Sequence, residues 1–165
     1  MRLRRSVLAL ALGGLGVSRV TAQAGPALKS TADERELYGF VLTMDKVQRL
    51  SGAAKGLHEL EKRHPGMSNG GPSKSIDDMV GSIKKYPDAV AVLSKNGLSP
   101  RDYAVGFLTL IQSTMMVGLK KAGTFKTYPP DMLKLVSQAN LAFVEQHYAE
   151  IQKLMPDWSS EGDWQ

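Results

Sequence analysis

The 165-residue chain has no cysteine and a formal charge of +5, from 21 Lys and Arg against 16 Asp and Glu. The missing thiols exclude disulfides, covalent c-type haem attachment, thiolate metal sites and a cysteine nucleophile. Four of the arginines (Arg2, Arg4, Arg5 and Arg19) fall in the first 24 residues, which hold no acid; the other 141 residues stand at 17 basic to 16 acidic, too balanced to neutralise the phosphates of a nucleic acid.

Arg2, Arg4 and Arg5 form a positive n-region, Ser6 to Val17 an apolar h-region, and Ala22-Gln23-Ala24 the small-x-small pattern of a signal peptidase site. This arrangement predicts a signal peptide over residues 1–24, cut after Ala24, and a mature protein that is periplasmic or secreted. The apolar run is too short for a comfortable membrane anchor. Arg4-Arg5 is a twin arginine, but the n-region is very short for that route, so general secretion is expected. Residues 25–43 read as a leader and lead-in. Thr31-Ala-Asp-Glu34 has the form of a capping box, and residues 36–42, aromatic and β-branched around Gly39, are expected to be extended or irregular, with a helix as the alternative.

A helical bundle domain is expected over residues 44–156. Thr43 is a natural N-cap for a helix over 44–63, in which Val47, Leu50, Ala54 and Leu57 make one apolar stripe. His64-Pro65 ends it, and residues 66–74 (GMSNGGPSK) are a loop; no strand precedes it and no GKS/T is present, so it is no phosphate cradle. Short helices come next over 76–85, opened by Ser75, and 87–95, opened by Pro87 and closed by Asn96-Gly97.

The chain is organised around the next helix, 100–122. It carries no charge from Tyr103 to Leu119, and apolar side chains fall on nearly every side, so it must be buried. Ser99, Pro100 and Asp102 mark its start; Lys120, Lys121 and Gly123 mark its end. Thr109, Gln112, Ser113 and Thr114 interrupt the run and make it short for a membrane span. The reading is therefore an all-α fold: a small bundle of four to five helices around this buried centre, with no stable membrane span in the mature chain. Gly106 and Gly118 are expected where another backbone comes near. A last helix is expected over 131–154, and Pro156 and an acidic, aromatic tail, residues 157–165, finish the chain. The tail reads either as a frayed terminus with one Trp folded back or as a partner-binding peptide.

Residues 97–103 (GLSPRDY) opening a long apolar helix, 138–147 (QANLAFVEQH) in a C-terminal helix and 41–50 (VLTMDKVQRL) together resemble small exported bacterial all-helical proteins of uncharacterised function. The resemblance covers most of the mature chain and implies an exported helical protein. It carries no activity, cofactor or site residue.

In the last helix Leu133, Val136, Asn140, Phe143, His147, Ile151 and Leu154 share a stripe, which puts two polar residues on the apolar face. A structural Asn140 would bond a backbone group exposed at a helix break near Pro87 or Leu42, and a structural His147 would be a satisfied core histidine. As a ligand site, Asn140 and His147 would join His58, at the edge of the 44–63 stripe, with Met115 or Met116 nearby. Two histidines, or a histidine and a methionine, can hold haem iron or a metal in a four-helix fold, but no H-x-x-x-H or E-x-x-H spacing is present. Both methionines also read as core filler. No G-x-S-x-G elbow and no carboxylate pair on an apolar face appears, and Asp77-Asp78 suits the first turn of a helix. Two functional expectations result. The first is an exported, non-enzymatic binding or interaction module for a small ligand or a protein partner, with no cofactor. The second is a haem- or metal-binding protein using His58 and His147.

Overall fold

In the computed structural model, residues 31–64 and 73–155 are described; the expected signal peptide, most of the Gly-rich loop and the C-terminal tail lie outside them. The sequence punctuation becomes six α-helices: α1 (Thr31–Gly39), α2 (Met44–Arg63), α3 (Ile76–Lys84), α4 (Pro87–Lys95), α5 (Pro100–Lys121) and α6 (Gln138–Leu154). A 3-10 turn at Met132–Lys134 precedes α6, and the described residues contain no strand.

Local chemistry sets the ends. The Thr43 hydroxyl accepts the Lys46 amide, and that of Ser75 accepts the Asp78 amide. On α5 the Ser99 hydroxyl accepts the Asp102 amide at 3.0 Å while the Asp102 carboxylate accepts the Ser99 amide at 3.2 Å, a reciprocal capping box with Pro100 at the first helical position. Gly97 and Gly123 take left-handed backbone at φ 68° and 78° and close α4 and α5. Behind each, two amides turn back onto the last carbonyls: Gly97 to Ser94 and Leu98 to Leu93, Gly123 to Lys120 and Thr124 to Leu119.

Helix α5 packs against all five other α-helices. Its Leu110, Val117 and Met116 meet Val47 and Leu50 of α2, Leu93 of α4 and Leu141, Val144 and Ile151 of α6 in one main core. The Tyr103 and Phe107 rings stack at 5.1 Å within it. A smaller cluster gathers on another side of α5, from Ala104 and Val105 with Leu37 of α1 and Ile76 and Val80 of α3. Among the described residues no helix is long and apolar enough to cross a membrane.

The structure corrects the sequence reading at four places. Residues 36–42, expected to be extended or irregular with a helix as the alternative, divide: 36–39 take the helical alternative as the second half of α1, and 40–43 lack helical structure. Burial of Leu37 and the bond that Asp33 accepts from the Ile76 amide supply what this nine-residue segment lacks in intrinsic helicity. The last helix starts at Gln138, not 131, because the Ser137 hydroxyl caps it by accepting the Asn140 amide. Met115 is 47 % exposed, while its neighbour Met116 is core. Around Gly106 and Gly118 the close neighbours are side chains rather than backbone: a Cβ at 106 would sit 2.9 Å from the Phe40 ring and 3.2 Å from Leu50, and one at 118 would sit 2.9 Å from the Tyr148 hydroxyl.

Candidate functional site

Helix α1 is one of three nine-residue helices, and side-chain bonds to α3 and α5 help to hold it. Asp33 is buried, and its carboxylate accepts the amide of Ile76 at 3.1 Å, so a residue of α1 caps α3. Glu36 receives two bonds from Arg101, Nε at 2.8 Å and Nη2 at 2.6 Å, while the third arm of the guanidinium reaches Asp77 of α3 at 2.6 Å. One cation at the start of α5 thus clasps α1 and α3 together. The hydrogen bonds from Glu36 and then Asp77 push the Arg101 pKa still further up. The Thr109 hydroxyl adds a long bond, 3.4 Å, to the Leu37 carbonyl.

The outer side of α1 is open. Tyr38 is 49 % exposed and Val41, just past the helix, 56 %. A recess lies on each flank. One, of about 240 Å³, is lined by Glu36, Gly39, Phe40, Arg101, Asp102 and Val105. The other, of about 260 Å³, is lined by Glu34, Arg35, Tyr38 and Lys134. Each falls below the roughly 300–1,000 Å³ of a small-molecule site and suits a side chain or two of a larger partner.

Asn140, singled out in the sequence, is 1 % exposed and closes the corner between α1 and α2. Its Oδ1 accepts the Leu42 amide at 2.9 Å and its Nδ2 donates to the Phe40 carbonyl at 2.6 Å. Both ends of the carboxamide are engaged with the backbone segment that belongs to no helix. Near the other end of α6, the Ser51 hydroxyl of α2 donates to the Leu154 carbonyl. These two tethers make α2 and α6 run in the same sense. His58 lies two turns beyond Ser51 on α2, and His147 lies two turns before Leu154 on α6, so each is displaced roughly 10 Å from that tether in opposite directions. The structure does not bring the two imidazoles together. His147 packs on the Phe143 ring at 4.9 Å with Nδ1 3.5 Å from Glu150, and it is part-exposed rather than core. Among the described residues no group of three His, Asp or Glu side chains is arranged to hold a metal ion.

A polar cluster missed in the sequence joins the end of α5 to α6. Lys120 Nζ lies 2.6 Å from Glu145 and 4.6 Å over the Tyr128 ring, and the Tyr128 hydroxyl donates to the same Glu145 oxygen. The bonds from Lys120 and then Tyr128 hold the Glu145 carboxyl below the usual carboxylate range. Desolvation and then the Glu145 contact push the Tyr128 phenol up, while burial alone raises Tyr103. Tyr128 comes after two exposed polar residues in a linker, and no periodicity announces such a contact. No family model, curated protein or solved structure matches the chain.

Proposed function

We propose that the mature chain is an exported, non-enzymatic helical module that binds a protein partner through the outer side of α1. The observation that carries this reading is the pairing of two small recesses on the flanks of one helix, with Tyr38 and Val41 exposed between and beside them. A tyrosine and arginines around such notches are the composition of a protein contact patch, and the mixed charge of Glu34, Arg35 and Lys134 suits a protein surface. Export rests on the n-region, h-region and Ala22-x-Ala24 of the first 24 residues.

The experiment is site-specific crosslinking in the native host. A photo-crosslinking residue at position 38 or 41 is expected to give one discrete adduct, and the same residue at exposed Gln152 on α6 none. Adducts of equal yield at all three positions, or none at 38 and 41, would defeat the reading. Mass spectrometry of the same material is expected to give an N-terminus at Gly25. An absorbance band or stoichiometric metal in protein purified from that host would favour the haem or metal alternative instead.

A further inference from the structure

The turn between α4 and α5 carries an Asn-Gly pair, Asn96-Gly97, which plays no part in the α1 reading. Asparagine followed by glycine is the dipeptide most open to spontaneous deamidation, because glycine has no side chain to shield its own amide nitrogen. In that reaction the Gly97 nitrogen attacks Cγ of Asn96. A bond from that nitrogen to Cγ forms, the Cγ–Nδ2 bond breaks, and ammonia leaves with the amide proton. Water then opens the five-membered succinimide to aspartate or isoaspartate.

In the folded chain each participant in this reaction is held. Asn96 is part-buried and ends α4 with ψ 9°. At that angle the Gly97 nitrogen eclipses the backbone nitrogen of Asn96, so it is turned away from Cβ and the carboxamide, whereas ring closure needs it on their side. The Gly97 amide, the nucleophile, donates to the Ser94 carbonyl at 2.9 Å. Nδ2, the leaving group, donates to the Val92 carbonyl at 2.8 Å. The side-chain carbonyl sits in a notch that Gly52 leaves on α2: a Cβ at 52 would lie 2.5 Å from Oδ1 and 3.5 Å from Cγ. One turn along, Gly56 leaves the matching notch for Val92, whose Cγ1 would lie 2.7 Å from a Cβ there. Arg49 covers the turn, with Nη1 2.9 Å from where a Cβ at 97 would be, and Asp45 holds that guanidinium in place.

We propose that Asn96 is a gated deamidation site, unreactive while α4 is seated on α2 and released when the α4–α5 turn opens. The change is one-way. Aspartate at 96 has no hydrogen to give the Val92 carbonyl, so two oxygens face each other where a hydrogen bond stood. Isoaspartate routes the main chain through Cβ and lengthens the turn by one methylene, so the spacing that lets Gly97 and Leu98 reach Ser94 and Leu93 is lost. A chain that opens and reacts cannot reseat α4 as before, and the modified fraction records how long the turn has stood open.

The test follows residue 96 by peptide mapping and mass spectrometry in the full chain, kept in mildly alkaline buffer either folded or unfolded in guanidinium chloride. The map separates it from Asn69-Gly70, the chain's other Asn-Gly pair. Deamidation at 96 is expected to be slower in the folded protein by at least about tenfold, as for a group exposed only by local opening. Gly52→Ala drives a methyl into the seat of Oδ1 and should speed the folded-state reaction several-fold, with far-ultraviolet circular dichroism unchanged; alanine favours a helix more than glycine does, so α2 survives. Asn96→Asp, which stands for the product, should melt below the wild type and exchange its Leu98 amide faster. Equal rates at 96 in folded and unfolded protein would overturn the proposal. So would folded Gly52→Ala protein that reacts no faster than the wild type, since the carboxamide is then not held by its seat. Asn96→Asp protein melting like the wild type would overturn the one-way step, and that measurement needs no change on α2.

Discussion

The two sides of α5 are held in different ways. Towards α2, α4 and α6 the contact is broad and apolar, with Leu110, Val117, Leu50, Val144 and Ile151 fully or almost fully buried. Towards α1 and α3 the apolar cluster is five residues, and the rest of the hold is polar: Asp33 on the Ile76 amide, Arg101 on Glu36 and Asp77, Thr109 on the Leu37 carbonyl. Length contributes to the difference. Helices α2 and α6, of 20 and 17 residues, bury long apolar faces against α5 and give nine-residue α4 a core in which to place Leu93. Nine-residue α1 and α3 meet α5 with few apolar side chains and add directed bonds. The first side can therefore be broken only by ruining packing, and the second by deleting single polar groups.

Leu110→Asp tests the broad side and should have the largest effect. Leu110 is 0 % exposed at the centre of the main core, and an unpaired carboxylate there should cost more than about 4 kcal/mol and abolish the cooperative thermal transition. A variant melting like the wild type would end the claim that α5 is the buried centre. Asn140→Ala comes next. It strands the Leu42 amide and the Phe40 carbonyl, at about 1–3 kcal/mol in urea unfolding. If it costs no more than Ala at exposed Gln152, the corner is not held by the carboxamide.

Arg101→Ala sharpens the contrast. The guanidinium is about half exposed, so the expected loss of global stability is only about 0.5–1 kcal/mol. Amide exchange should nevertheless accelerate in residues 31–39 while α5 and α6 keep their protection, and uniform acceleration would mean the two sides are one cooperative unit. The smallest effect concerns Glu145. Its pKa is depressed in the folded state, so the unfolded chain binds the extra proton, and stability is present above its ordinary value of 4.5 and lost as pH falls through the depressed one. Glu145→Gln should flatten the acid limb of stability against pH by less than about 1 kcal/mol, since the side chain is about one-third exposed.

The same contrast explains what can be read from the chain. Helix α5 is legible because its charge-free run, Ser99-Pro100-x-Asp102 start and Gly123 end are local signals; α2 and α3 carry hydroxyl N-caps, and α4, without a side-chain cap, is marked by Pro87 and Gly97. Helix α1 is not, because its stability comes from Ile76, Arg101 and Thr109, residues 43 to 72 positions away, while its own residues include Gly39 and β-branched neighbours. Thr31 to Glu34 suggests a cap for α1, yet Asp33 serves α3. The sequence puts the start of α6 too early because Leu133 and Val136 extend its stripe backwards through the 3-10 turn, hiding Ser137. Asn140 stands out as a polar residue on an apolar stripe, and Leu42 is one of two backbone partners it suggests. The recesses beside α1 have no sequence signal, since they exist only once α1, α5 and the 132–134 turn are assembled.

The Asn140 contact also bears on the order in which the chain can finish folding. It joins residues 98 and 100 positions apart, so the corner at 40–42 stays open until α6 has been made. A chain appearing N-terminus first can form α2 to α5 and clasp α1 through Ile76, Arg101 and Thr109, but it cannot tie down the 40–42 corner. Closing that long loop late costs entropy, which slows the last step.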